Sequence, residues 1–138
     1  MKVVPGTVFR IPLKNDCFAL ARVEYVSRRY KNTMQCGLYD HVFRPTEVVT
    51  DFSNYPILKT FFTSTVILKQ GYWEKEKGLE ADVEGIDLHA TCAGRVVLND
   101  EDMGAASTSD LETLPQLNSA GKGFVEIMCN DVLFNRRQ

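Results

Sequence analysis

The feature that most constrains this chain is a run of period-two patterning near its start. Over residues 17–26, Cys17, Ala19, Ala21, Val23 and Tyr25 fall on one side of an extended chain, and Phe18, Leu20, Arg22, Glu24 and Val26 on the other. Upstream, Phe9, Ile11 and Leu13 alternate with Val8, Arg10 and Pro12, and Lys14-Asn15-Asp16 is a turn signal between the two runs. This arrangement predicts a β-hairpin with the Cys17 set on its core face.

The polar connection at 27–33 (SRRYKNT) leads into a third strand over 34–43, and Pro45 blocks its continuation as a central ladder strand. In the segment 46–63, Ile57, Leu58, Phe61 and Phe62 recur at helical spacing, with Asn54 as N-cap and Pro56 in the first turn, which predicts a short helix. Residues 64–69 (STVILK) read as a strand stopped by Gln70-Gly71. Tyr72 and Trp73 follow, ahead of the charged stretch 74–78.

Segments 86–92 and 95–98 predict a second pair of strands, and 99–104 an exposed acidic loop. Ser107-Thr108-Ser109-Asp110 offers N-caps for a short helix carrying Leu111, Leu114 and Leu117 and ended by Gly121; 123–129 then reads as a closing strand. The expected fold is α+β, mainly antiparallel β: a single twisted sheet or partly open barrel with one or two short helices. At 138 residues, with no internal repeat, one domain over 1–138 is the simplest organisation.

Composition removes several function classes. With 16 Lys and Arg against 18 Asp and Glu, the net charge of −2 lacks the dense basic face that general binding to a phosphate backbone requires. No apolar run approaches bilayer-spanning length, and Pro5, Gly6, Arg10 and Pro12 break the start where a signal peptide keeps an apolar core, so a cytoplasmic location is expected. Four widely spaced cysteines (Cys17, Cys36, Cys92, Cys129) then fit reduced thiols better than a disulfide framework.

Catalytic and metal chemistry find little footing. Cys36 with His41, and His89 with Cys92, are the best donors for a zinc ion, but on strands each pair is an odd number of residues apart and points to opposite faces. Neither histidine lies in a recognisable catalytic context, and the chain contains no phosphate loop, dinucleotide fingerprint or nucleophile elbow. The acidic clusters Asp82, Glu84, Asp87 and Asp100, Glu101, Asp102 resemble solvated loops more than a tuned acid-base pair. No catalytic residue, metal or cofactor is expected. Of the aromatics in or beside loops, Tyr30, Tyr55, Tyr72 and Trp73, the last is read as a core anchor.

The N-terminal half carries a family pattern: Pro5-Gly6-Thr7-Val8-Phe9-Arg10-Ile11-Pro12-Leu13, then 19–23 (ALARV), Leu38-Tyr39-Asp40, Val66-Ile67-Leu68 and Gly71-Tyr72-Trp73. It resembles the immunity protein 26 family over approximately residues 1–75. The resemblance implies an inhibitor encoded beside a polymorphic or contact-dependent bacterial toxin, whose partner is the toxin's C-terminal domain, of nuclease type, and which has no catalytic residue of its own. Toxin contacts are expected on loops and charged surfaces carried by the scaffold: Tyr72, Glu74, Glu76, Asp82, Glu84, Asp100, Glu101 and Asp102.

Two rivals remain. A small β-barrel ribonuclease toxin would open on a similar Gly-x-Val-x-x-Ile strand, but should expose a basic groove, and the basic groups here are only Arg28-Arg29 with Lys31 and Arg136-Arg137. A non-enzymatic adaptor would need only a binding surface or a free sheet edge, which the sequence does not distinguish from an inhibitor's.

Overall fold

The computed structural model describes residues 2–135. Strands β1 (Thr7–Pro12) and β2 (Phe18–Val26) form the expected hairpin, with Phe9 opposite Ala21 and Ile11 opposite Ala19. Asn15 and Asp16 close it at φ of 61° and 58°. Asn and Asp tolerate this left-handed backbone better than most side chains, so the turn falls where they stand.

β3 (Thr33–Tyr39) pairs with β2, β4 (Ile57–Ser64) with β3, and β5 (Lys75–Glu80) with the other edge of β1. The result is an antiparallel five-stranded sheet in the order β4-β3-β2-β1-β5. A second antiparallel sheet joins β6 (His89–Cys92), β7 (Arg95–Leu98) and β8 (Glu101–Ala105) in sequence order. Three short helices complete the described residues: α1 (Val66–Lys69), α2 (Thr108–Thr113) and α3 (Lys122–Phe134). The fold is therefore α+β with mainly antiparallel strands, as the patterning predicts, divided between two sheets and not closed into a barrel.

Both faces of the sheet's inner strands β1, β2 and β3 are buried, which is why these strands carry apolar residues at successive positions. On one face Phe9, Ile11, Ala19, Ala21, Val23, Cys36 and Leu38 meet Val125, Cys129 and Leu133 of α3, together with Ile67, Leu68 and Trp73. On the other, Val8, Phe18, Leu20 and Tyr39 are covered by Phe43, Phe52 and Ala81. The Phe18 and Phe43 rings stack at 5.1 Å. A third cluster docks the small sheet: Phe62 packs with Leu88, Ala90, Val97 and Leu117.

Tyr25 departs from the expected face. Val23 pairs with Cys36 but Tyr25 pairs with Gln35, so Glu24 is an extra residue in β2, a bulge that turns Tyr25 away from the Val23 side and toward the Phe62 cluster.

Four segments differ in type from their sequence reading. The predicted helix around Ile57–Phe62 is β4: Phe61 fills the main core and Phe62 the small one, so burial on both faces of a strand imitated helical spacing. Residues 64–69 end β4 and turn into the single helical turn α1. The acidic loop 99–104 contains the edge strand β8, and the closing strand 123–129 is the start of α3, capped by Gly121. Ser107 does cap α2, with a reciprocal bond between its side chain and Asp110, but Pro115 stops the helix early. The third strand likewise ends at Tyr39, short of Phe43.

Candidate functional site

β5 pairs with β1 only from Thr7 to Phe9, and beyond Arg10 the β1 edge is open. Pro12 has no N–H to extend that ladder. The opening leaves a cleft of about 340 Å³ bordered by Arg10, Pro12, Asp16, Phe18, Tyr72 and Glu74.

Arg10 is fixed from three directions. Its guanidinium lies 4.1 Å over the Phe18 ring, it pairs with Glu76 on β5, and its backbone N–H donates to the Glu74 carbonyl at 2.8 Å. Tyr72 is fixed through its backbone and is 60% exposed. Gly71 makes the turn at φ +76°, a conformation glycine adopts without strain, and the Tyr72 N–H donates to the Ile67 carbonyl at 3.0 Å. Next in the chain, Trp73 is buried, stacks on Phe9 at 5.6 Å and donates its indole N–H to Glu126 of α3 at 2.9 Å. Trp73 is thus the core anchor that the sequence suggests, and it presents Tyr72 to solvent.

The eight residues nominated from sequence fall in three places. Tyr72, Glu74 and Glu76 come together around Arg10 at the cleft. Asp82 and Glu84 lie exposed between β5 and β6, where the Asp82 carboxylate accepts the Glu84 N–H at 3.1 Å. Asp100, Glu101 and Asp102 sit at the β7–β8 turn, and two of them have local partners. Asp100 accepts the Ser27 hydroxyl at 2.6 Å and the Arg28 N–H at 2.8 Å, pinning the β2–β3 connection to the small sheet. Asp102 pairs with Arg95 at 2.6 Å, and this hydrogen bond holds its carboxyl below the usual carboxylate range. Glu101 is exposed.

Sequence reasoning missed Arg10, whose significance depends on where β5 stops, and the outer side of α3, where Phe124 and Ile127 stand largely exposed. Reading 123–129 as a strand hid that surface; the spacing of Val125, Cys129 and Leu133 would have revealed the helix.

A polar cluster also lies within the fold. Glu24, 5% exposed, accepts from Arg22 at 3.0 Å and from Gln35 at 3.1 Å, and Gln35 also reaches the Asp87 carbonyl at 3.2 Å. These bonds join the large sheet to the β5–β6 connection and satisfy the buried carboxylate internally.

The zinc candidates are dispersed. Cys36 is buried in the main core, where burial pushes its thiol well up, and Cys129 is pushed up to about 12 by the same cause. His41 bonds Glu47 at 2.8 Å and stacks on Tyr55 at 4.3 Å, while His89 is exposed on β6. All four cysteines are free, and among the described residues no group of three or more His, Cys, Asp or Glu could hold a metal ion. Of the basic groups, the Arg28 N–H and the Arg29 guanidinium are engaged by Asp100, whereas Arg136 and Arg137 lie outside the described residues. Among the described residues, no helix is long and apolar enough to cross a membrane.

Comparison of the chain with protein-family models, with curated proteins and with solved structures found no significant match.

Proposed function

We propose that this protein is an immunity protein that neutralises a bacterial toxin domain by binding it, with the Tyr72–Arg10 cleft at the centre of the contact. The observation that carries this reading is the presentation of Tyr72: an aromatic side chain 60% exposed at the rim of a cleft, on backbone locked by a buried tryptophan. Tyrosine and arginine are enriched in interface hot spots: tyrosine adds a large amphipathic contact area for two rotatable bonds, and arginine a planar guanidinium with several directed donors. Here the Arg10 side chain is ordered by Phe18 and Glu76, and the backbone that carries Tyr72 is fixed by Ile67 and Trp73, which lowers the entropy lost on binding.

The N-terminal family pattern supplies the kind of partner, since β1 and the 71–73 segment that build the cleft are also the segments that carry the resemblance. The cleft has mixed charge, Arg10 against Asp16 and Glu74, so the toxin surface it fits is polar and of both signs, with an apolar hollow to receive Tyr72.

The test is co-expression with the toxin domain encoded immediately upstream. The protein should restore growth and elute with the toxin as one complex, and Tyr72→Ala should weaken binding by about thirtyfold, the effect of losing a 2 kcal/mol hot spot. Cells that die despite soluble protein, with no complex on gel filtration, would remove the reading.

A further inference from the structure

Three stretches of chain distant in sequence meet around a hollow of about 340 Å³: the lead into β1, the β2–β3 connection and α1. Lys2, Lys69 and Asn32 line it and are exposed, Thr65 lines it and is buried, and Val3 and Val26 supply its apolar wall. No aspartate or glutamate stands among the lining residues, although the chain as a whole has 18 of them against 16 lysines and arginines. Among the described residues neither Lys2 nor Lys69 makes an ion pair.

The fold places each of these groups. Val3 is buried in the main core, which fixes the chain next to Lys2. Lys69 ends α1, whose Ile67 and Leu68 are buried in the same core, and the Lys69 N–H donates to the Thr65 carbonyl at 3.1 Å. The Thr65 N–H in turn donates to the Asn32 carbonyl at 2.9 Å, which ties the β2–β3 connection to α1.

The side chain of Thr65 stands apart from the rest of the interior. It is 3% exposed, and its hydroxyl has no hydrogen-bond partner. Buried hydroxyls are otherwise hydrogen-bonded as a rule. Thr65 precedes α1 but caps nothing, since the Ser64 hydroxyl takes the Val66 N–H at 3.2 Å. An acceptor held in the hollow that Thr65 lines is what this donor lacks.

We propose that the hollow binds an oxyanion of the phosphate class between the Lys2 and Lys69 ammonium groups, with the Thr65 hydroxyl donating to it. Lysine supplies a compact charge with three rotatable donors, and a phosphate oxygen accepts strongly from such a group. Ser27 also lines the hollow but is spent: its hydroxyl donates to Asp100 at 2.6 Å and accepts the Tyr30 N–H at 2.9 Å. The Asp100 carboxylate also accepts the Arg28 N–H at 2.8 Å, so its charge is engaged within the β2–β3 connection. The hollow and the Tyr72 cleft share no lining residue, so anion binding and toxin binding are separable.

Amide chemical shifts of the isotope-labelled full chain, titrated with sodium phosphate against sodium chloride at matched ionic strength, test the proposal. The shifts should saturate with a Kd of about 1 mM, the affinity class of a small ion on water-exposed ammonium groups. They should centre on Lys2, Asn32, Thr65 and Lys69 and leave Tyr72 unmoved. Lys2→Ala and Lys69→Ala should each weaken binding by about tenfold, the loss of one charge-assisted hydrogen bond. Thr65→Val should weaken it by about the same factor without lowering the melting temperature, because the hydroxyl has no partner in the fold to lose. Phenyl phosphate in a parallel titration separates the two sources of the group. Tighter binding assigns the Val3 and Val26 wall to the carbon end of a small phosphomonoester, and equal or weaker binding assigns the site to the free ion. Shifts that fail to saturate by about 30 mM phosphate, or that spread alike to Lys31, Lys59 and Lys122, overturn the proposal. So does a Thr65→Val protein that binds phosphate as the parent does, or one that melts well below the parent.

Discussion

Replacing Gly37 by alanine adds one methyl group, and the fold determines what that methyl meets. A Cβ at this position in β3 falls 2.5 Å from the Glu24 carboxylate oxygen, 3.1 Å from its carboxyl carbon and 3.2 Å from the Ile57 Cδ1. Glu24 cannot move away cheaply, since it is buried and held by Arg22 at 3.0 Å and Gln35 at 3.1 Å. Losing one charge-assisted hydrogen bond costs about 1.5–3 kcal/mol, and overpacking a core costs about 1–3 kcal/mol. Alanine returns about 0.5–1 kcal/mol through the entropy that glycine loses in a strand. The net expectation is a destabilisation of about 1.5–5.5 kcal/mol, or roughly 5–20 °C in Tm for a domain of this size. Urea unfolding followed by the fluorescence of Trp73, the only tryptophan, measures it directly. In a Glu24→Ala background the methyl has room, so the same substitution should cost at least about 1 kcal/mol less. A Gly37→Ala variant within about 0.5 kcal/mol of the parent, or an equal cost in both backgrounds, would refute the reasoning.

The other predictions concern the remaining polar contacts. Asp100→Ala should destabilise by about 2 kcal/mol, because it strips the Ser27 hydroxyl and the Arg28 N–H of their acceptor, and limited proteolysis should then cut the 27–32 connection first. Glu47, Asp102 and Asp110 are held below their ordinary values by hydrogen bonds from His41, Arg95 and the Ser107 backbone respectively. Their folded-state values lie below the unfolded ones, so the stability they contribute is present above the normal carboxylate range and is lost as pH falls through the folded values. Tm should drop between neutral pH and pH about 3, and Asp102→Asn should reduce that drop. With a thiol-specific reagent, Cys17 and Cys92 should react in the native protein, whereas Cys36 and Cys129, buried and with raised thiol values, should react only on unfolding.

The N-terminal hairpin was legible because period-two patterning and an Asn-Asp turn agree with each other. The cap of α2 and the β6–β7 pair were legible for similar local reasons. β4 and α3 were not, and the causes are opposite. In β4 both faces are buried, so Phe61 and Phe62 are adjacent apolar residues serving different cores. In α3 the exposed Phe124 and Ile127 fill the polar half of what would otherwise be an amphipathic pattern. β8 looked like a loop because an edge strand is tolerated when it is short and charged. At the candidate site, Tyr72 and Glu74 could be picked out by residue type, but Arg10 could not, because its exposure follows from the point at which β5 leaves β1. Asp100 reads as a free surface acid; the Ser27 and Arg28 contacts that occupy it come from the β2–β3 connection, more than seventy residues away.

The central claim is that the Tyr72–Arg10 cleft receives a toxin domain. Titration calorimetry with the purified toxin domain from the neighbouring gene tests it most directly, using the parent, Tyr72→Ala and Phe124→Asp. The parent should bind one toxin per chain, Tyr72→Ala should bind about thirtyfold more weakly, and Phe124→Asp should keep parental affinity. No binding of a folded, active toxin domain, or full affinity in Tyr72→Ala, would contradict it.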